Sequence, residues 1–473
     1  MLRTVLAHEW RLLRRTPATY AALALLATSI LFGAYNAGRW ADVQRDAIAQ
    51  VRSVEAETFG EMAREVAALD GEGPGGWSDP TDAAPVGTFN SRPAVLPPAP
   101  LAPLAIGQSD VAPYVLSVSG MNLVSTHAKA AEELGNPQAY VTGRFDTAFA
   151  LVVVLPLVLL VLLFDLASGA RERGTLRLVL AQPIRPDTFM WAKAGLRWAL
   201  VVGVAWASVL AGLGLFGANL GAAWGALGVA LASVALYAAF WTALAAWVAG
   251  RGWASATNAL ALAAMWAALV VVLPGLIGAV SGALAPVPSR AALVEAQRDA
   301  ATRWGGHGPD LLIAYYEANP GSRPEGFDPE AINFPLHYTA IQDAMQDTLG
   351  PVLRRYDDAL AAQERLAGGL AILSPAALLQ NTLATVAGTD HARHATYLRQ
   401  VETFHIAHRD FFAPRAYQRI SLTAADYKDM PVFAFQDPGN TAARTLWPLV
   451  GLFALTVGLV LLAAPGLRRI ATH

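Results

Sequence analysis

Charges are missing from five stretches of this chain, and that pattern constrains its fold more than any motif does. No Asp, Glu, Lys or Arg occurs from Thr16 to Gly38, Thr147 to Phe164, Trp198 to Gly250, Gly252 to Ser289, or Thr445 to Leu467. A hydrocarbon core about 30 Å thick is crossed by roughly twenty apolar residues in a helix, so each stretch is long enough to span it. The third holds two helices, with Gly217-Ala218-Asn219-Leu220-Gly221 as the turn between them. Six spans result. Composition agrees, since 55% of the 473 residues are hydrophobic and only 15% charged, too apolar for an ordinary soluble enzyme. The first apolar run exceeds a secretory h-region and five more follow it, so it is expected to be an uncleaved anchor.

Basic residues beside the spans set the orientation, because they stay cytoplasmic. Arg3, Arg11, Arg14 and Arg15 precede the first span; Arg171, Arg173, Arg177, Arg185, Lys193 and Arg197 fill the second connection; Arg251, Arg468 and Arg469 complete the set. All fall on one side of a six-span chain, facing only Glu9, Asp165, Glu172 and Asp187. With a net charge of -2 overall, the opposite side is left strongly acidic. Both termini are therefore expected in the cytoplasm of a bacterium, and the chain in its inner membrane.

The expected fold class is mainly α: a six-helix transmembrane bundle with two large extracytoplasmic insertions forming a mainly helical outer domain. The order is a cytoplasmic amphipathic helix over 1–15, spans over 16–38, 147–164, 198–217, 222–250, 252–286 and 445–467, a cytoplasmic loop over 165–197, outer segments over 39–146 and 287–444, and a tail over 468–473. The first outer segment opens with a helical pattern around Val51 to Leu69. Gly71-Glu72-Gly73-Pro74-Gly75-Gly76 and Pro97-Pro98-Ala99-Pro100 then read as extended linker. The second carries helical patterns from about Ala340 to Leu370 and Asp390 to Phe412. No alternating strand stands out. Cysteine is absent, which excludes disulfides and thiolate chemistry.

The second cytoplasmic connection is unusual for a simple loop. Gly174-Thr175 can start a helix with the hydroxyl as cap, Leu176, Leu178, Val179 and Leu180 offer an apolar surface, and Pro183 stops it. Such a helix either lies on lipid or docks on a partner. At the amino terminus, Leu2, Val5, Leu6, Trp10, Leu12 and Leu13 share one helical arc, with Arg3, Arg11, Arg14 and Arg15 opposite. Glu9 falls inside the apolar arc, so it must reach water or accept a bond from a basic or backbone group.

The pattern Glu172-Arg173-Gly174-Thr175-Leu176, Gln182-Pro183-Ile184-Arg185 and Lys193 resembles the first cytoplasmic loop of ABC-2 type exporter permeases. His8-Glu9-Trp10-Arg11 with Arg14-Arg15 looks like that family's elbow helix. The resemblance implies that the loop holds a coupling helix, placing Glu172, Gly174, Thr175, Leu176, Leu178, Val179 and Pro183 against an ATPase, and Glu9, Trp10 and Arg11 in the elbow. Asn136-Pro137, Gly143-Arg144-Phe145-Asp146, Phe149 and Leu155-Pro156-Leu157, together with Ser374-Pro375-Ala376 and Gly388-Thr389-Asp390, look like a branch with large outer domains that includes relatives of the copper-maturation permease of nitrous oxide reductase.

No phosphate loop exists, since none of the three lysines, Lys129, Lys193 and Lys428, follows a glycine. ATP and Mg are thus expected on separate ABC ATPase subunits. The membrane half needs a second copy or a paralogue, making a homodimer or heterodimer in the lipid bilayer. No cofactor is expected in this chain, nor any nucleic acid partner. It is not expected to be an enzyme: His8-Glu9 lacks the second histidine of H-E-x-x-H, and G-x-S-x-G is absent.

His391, His394, His405 and His408 form two H-x-x-H pairs on one face of a helix, about 16 Å apart along its axis. They cannot build one four-ligand site, and a polar or partner-facing surface competes with a metal role for each pair. Pro156 and Pro274 fall inside spans, where a freed carbonyl and a kink could line a pathway or serve packing alone. Two functions remain: export of an unidentified, amphipathic substrate, or mechanotransmission, in which ATP hydrolysis inside drives an outer domain that acts on a periplasmic partner.

Overall fold

The computed structural model describes residues 2–69, 73–121, 145–175, 185–328 and 334–469. It is mainly α-helical, with six helices long and apolar enough to cross a membrane. A 14-residue amphipathic helix, α1 (Leu2–Arg15), breaks at Thr16 where Pro17 occupies the first helical position of α2 (Pro17–Ala68). The first insertion supplies α3 (Ala83–Phe89) and the antiparallel strands β1 (Arg92–Val95) and β2 (Val115–Val118). Then come α4 (Thr147–Glu172), α5 (Pro186–Leu215), α6 (Trp224–Ala249) and α7 (Ser255–Leu284). The second insertion supplies α8 (Arg290–Trp304), α9 (Gly308–Ala318), α10 (Phe334–Leu370), α11 (Pro375–Ala387) and α12 (His391–Tyr417), before α13 (Thr441–Arg469) ends the chain. Spans one to six are α2, α4, α5, α6, α7 and α13.

The charge-free stretches locate the spans, but the helices run past them. Span one continues without a break through Arg39 to Ala68, 52 residues in all, or about 78 Å of helix. Leu26 and Ile30 lie in the core of the bundle, whereas Phe59 lies in the core of the domain beyond it. One helix therefore belongs to both layers. Span three likewise starts at Pro186, twelve residues before the uncharged run, and buries Lys193 and Arg197.

Side chains fill the centre of the bundle. Leu151, Leu155, Leu159 and Leu163 of span two and Tyr237 and Trp241 of span four are fully buried together. Two of the spans' prolines, Pro156 and Pro274, serve this packing. Pro156 has no N–H for the Val152 carbonyl, and Tyr237 donates to that oxygen at 2.8 Å. Pro274 sits five residues after Leu269, at the end of a π-helical turn, and Ser374 donates to the Leu269 carbonyl at 3.3 Å. Spans four and six meet where Gly250 and Gly466 face each other, and a Cβ on either would press on the other's backbone.

Three expectations for the region beyond the bundle are corrected. The Pro97–Pro100 stretch is no free linker: it leads into Leu101, Leu104 and Ala105, which are buried in the bundle core, and the Pro100 carbonyl accepts from Asn219. Proline prevents regular pairing there without preventing packing. A strand pair exists, with Arg92 opposite Val118, and its Ala94, Leu116 and Val118 cover Tyr397, Val401 and Phe404 of α12. Finally, α11 is not part of the outer body. It packs on spans four and six within the bundle core, between the Ser374 cap and Gly388 in left-handed conformation.

Candidate functional site

The placement of Glu9 answers the puzzle its position poses. Helix α1 lies against span three, with Glu9 and Leu13 turned inward and Trp10, Arg11 and Leu12 exposed, so the inward face is narrower than the apolar arc suggests. Glu9 is 2% exposed. Its Oε1 accepts from Arg197 Nε at 2.8 Å and Nη2 at 2.5 Å, and its Oε2 lies 3.8 Å from Lys193 Nζ. Arg197 also donates to Asp165 Oδ1 at 3.1 Å and to the Leu162 carbonyl. Lys193 donates to the Leu166 carbonyl at 3.0 Å.

The carbonyls are available because span two ends here. Its helix unwinds through Phe164–Ala167, leaving last-turn oxygens without intrahelical donors. Two carboxylates, two bases and two backbone oxygens thus close a neutral cluster that ties α1, the end of span two and the start of span three. A buried ion set of this kind adds little net stability over apolar packing, but losing one member leaves a charge uncompensated. It fixes geometry more than it stabilises.

A second polar cluster sits on the other flank of the same turn. Span five starts after Gly252, in left-handed conformation, and Ala254, which has no side-chain acceptor for the helix's free N–H groups. Glu172 supplies it from another connection: Oε1 accepts from Ser255 N at 2.8 Å and Oε2 from Ser255 Oγ at 2.9 Å. Arg171 donates to the Trp253 carbonyl at 2.6 Å. Beneath them Ser168 Oγ lies 2.8 Å from Ser255 Oγ, and Asn258 Nδ2 donates to the Phe164 carbonyl and to Ser168 Oγ, each at 3.3 Å.

The other residues expected in the coupling loop divide in two. Gly174 is left-handed, ending the short helix Ser168–Glu172, and the Thr175 hydroxyl donates back to the Ala170 carbonyl at 3.1 Å. Thr175 therefore helps close the preceding helix, and the helix it is expected to cap lies outside the described residues. Leu176, Leu178, Val179 and Pro183 lie outside the described residues. Sequence reasoning missed Lys193 and Arg197 as partners of Glu9, Asp165 as the second carboxylate on Arg197, and Ser168, Ser255 and Asn258 altogether. The available signals were an acid in an apolar arc and one Asn in an uncharged span.

The histidines lie at the opposite end of the molecule, on α12. His391 is half-exposed, 2.5 Å from Glu364 Oε1 and 3.2 Å from Gln108 Oε1. His394, His405 and His408 are buried, which corrects the expectation of a polar surface: that face of α12 is the domain's interior. Burial pushes His405 down to about 4, helped by Arg409, and His408 down to about 3, helped by His405 and Arg92. Both rings are thus neutral at ordinary pH. They line a cavity of about 30 Å³ shared with Gln342 and Asp343. Among the described residues no three His, Asp or Glu groups converge in a way that could hold a metal ion.

Residues 290–436, the stretch from α8 through α12 and just beyond, match the family model of a domain of unknown function, DUF3526. No curated protein matches the chain.

Proposed function

We propose that the chain is the permease subunit of an ABC exporter, lying in a bacterial inner membrane with both termini cytoplasmic and coupled to ATP hydrolysis by a separate subunit. The observation that carries this proposal is the buried cluster of Glu9, Asp165, Lys193 and Arg197. It joins the amphipathic helix before span one to both ends of the connection that resembles the ABC-2 coupling loop. A push on that connection would reach spans one, two and three together. ATP and Mg belong to the partner, and a second copy or a paralogue completes the membrane half. The cargo would be amphipathic.

A second function has its own support. Apolar side chains fill the bundle interior among the described residues, the carbonyls freed by Pro156 and Pro274 are bonded by Tyr237 and Ser374, and the 52-residue α2 runs from the membrane core into the far domain. These features suit mechanotransmission to a periplasmic partner, with no cargo passing through the membrane. Reconstitution with the ATPase in vesicles separates the two: ATP-dependent accumulation of an amphipathic probe supports export. Unchanged probe distribution with ATP-driven change in a far-side partner supports transmission. A Leu176→Asp variant that inserts normally and retains full coupling would overturn both.

A further inference from the structure

Span five differs from the other spans in what holds it. Only 6% of its most apolar window is buried, against 67% in spans two and four. Leu260, Val271, Leu276 and Leu284 are all more than half exposed. A helix with so little apolar packing needs other attachments, and span five has polar ones at both ends. At its start Glu172, Ser168 and Arg171 hold Ser255, Asn258 and Trp253. At its far end Gln363 of α10 donates to the Ala285 carbonyl at 3.1 Å, and Ser374 bonds the Leu269 carbonyl midway.

The attachments lead to different bodies. The lower set belongs to the end of span two and the connection that follows it. The upper attachment belongs to α10, whose outer half packs Leu336, Ala340 and Ile341 into the far domain, while the midway bonds, from Ser374 and from Trp266 Nε1 to the Val153 carbonyl at 3.3 Å, tie span five to the bundle core. About these midway bonds the helix can tilt, because sliding its exposed face breaks few contacts. Ser168 and Asn258 are each 1% exposed, and Asn258 Oδ1 has no partner, so the lower joint is buried, polar and incompletely satisfied. An arrangement of that kind has room for a second hydrogen-bonding register.

From this geometry we infer that span five is the lever that carries motion of the 165–197 connection to the far domain, with Glu172 as its positioning residue and Ser168, Ser255 and Asn258 as the pivot. The inference rests on the proposed coupling to an ATPase and names which span conveys it. Glu172 touches no nucleotide in this scheme; it holds the first turn of span five so that the turn follows the connection. Spans two and four, locked in the bundle core, form the frame against which it moves.

The absence of cysteine allows the movement to be measured directly. Spin labels are placed at Leu284→Cys, on the far end of span five, and Trp224→Cys, on the far end of span four; both positions are exposed. The full chain is reconstituted with its ATPase in lipid nanodiscs, and the label distance is compared with ADP and with ATP plus vanadate. The expected result is a nucleotide-dependent shift in the native background, its loss in Glu172→Ala and Ser255→Ala with the thermal midpoint retained, and its recovery in Glu172→Gln, which keeps one accepting oxygen. A shift that persists in Glu172→Ala overturns the lever, as does a static distance in the native background while ATP is hydrolysed. Should no ATPase bind at all, the coupling proposal itself fails and the lever with it.

Discussion

Spans two and five are both apolar helices with a proline next to a π-helical turn, yet the molecule holds them in opposite ways. Span two is fixed by packing: Leu151, Leu155, Leu159 and Leu163 are fully buried, and Tyr237 takes up its freed carbonyl. Span five presents most of its surface outward and is fixed by a few hydrogen bonds at its ends, two midway, from Ser374 and to Val153 of span two, and the few side chains it buries, Leu262 and Val270 among them. The difference separates frame from moving part. Dispersion contacts spread along a helix resist displacement in every direction, whereas end bonds permit tilting about them.

The largest effect is expected at the buried ion cluster beside the frame. Glu9→Ala leaves the cluster one negative charge short, with Asp165 alone facing Arg197 and Lys193, and should cost about 3–5 kcal/mol, read as a lowered thermal midpoint or lost folded protein in detergent. A native midpoint would remove the cluster as a structural joint. Slightly smaller is Leu159→Ala in span two, where deleting a fully buried side chain should cost about 2–5 kcal/mol. The matching change in span five, Leu260→Ala, removes a side chain that is 73% exposed and should stay within about 0.5 kcal/mol. If the two leucine variants unfold alike, the contrast between the helices is wrong.

Acid offers a test on the far domain, where the effect of each single ring lies between those extremes. His405 and His408 are held at about 4 and about 3 by burial first, against about 6.5 for a free ring. The folded domain therefore binds fewer protons than the unfolded chain below pH 6.5. Stability should be level above that pH, fall as pH drops through 6.5 to about 4, and level off again near 3. Each ring should contribute a loss of about 3 kcal/mol by pH 4. Hydrogen exchange along α12 would report it, and His405→Gln should flatten the curve. Protection factors along α12 that stay constant with pH over this range would contradict the burial of the rings.

Missing charge made the six spans legible, because the cost of a charge in lipid acts on every residue of a span. Glu9 was legible as a problem but not as an answer, since its partners are 184 and 188 residues away and look like ordinary loop-flanking bases. The Glu172–Ser255 bond had no sequence signal: span five begins with an alanine where a capping side chain would stand, and an absent cap says nothing of who replaces it. Helix α11 stayed hidden because thirteen residues are too few to cross a bilayer. The Pro97–Pro100 stretch misled for the opposite reason, as its prolines announce a linker while Leu101 and Leu104 pin it to the bundle. The interior face of α12 was misassigned because four polar rings at helical spacing look like a solvated surface until β1, β2 and α3 cover them.

The central claim is that the 165–197 connection receives an ATPase and passes its motion to the spans. It is tested most directly by recovering the tagged chain from native membranes and assaying ATP hydrolysis by whatever is retained. The account predicts an ABC ATPase recovered with the native chain, its hydrolysis uncoupled in Leu176→Asp while insertion stays intact. Recovery of no ATPase from native membranes, or coupling unaltered by Leu176→Asp, would contradict it.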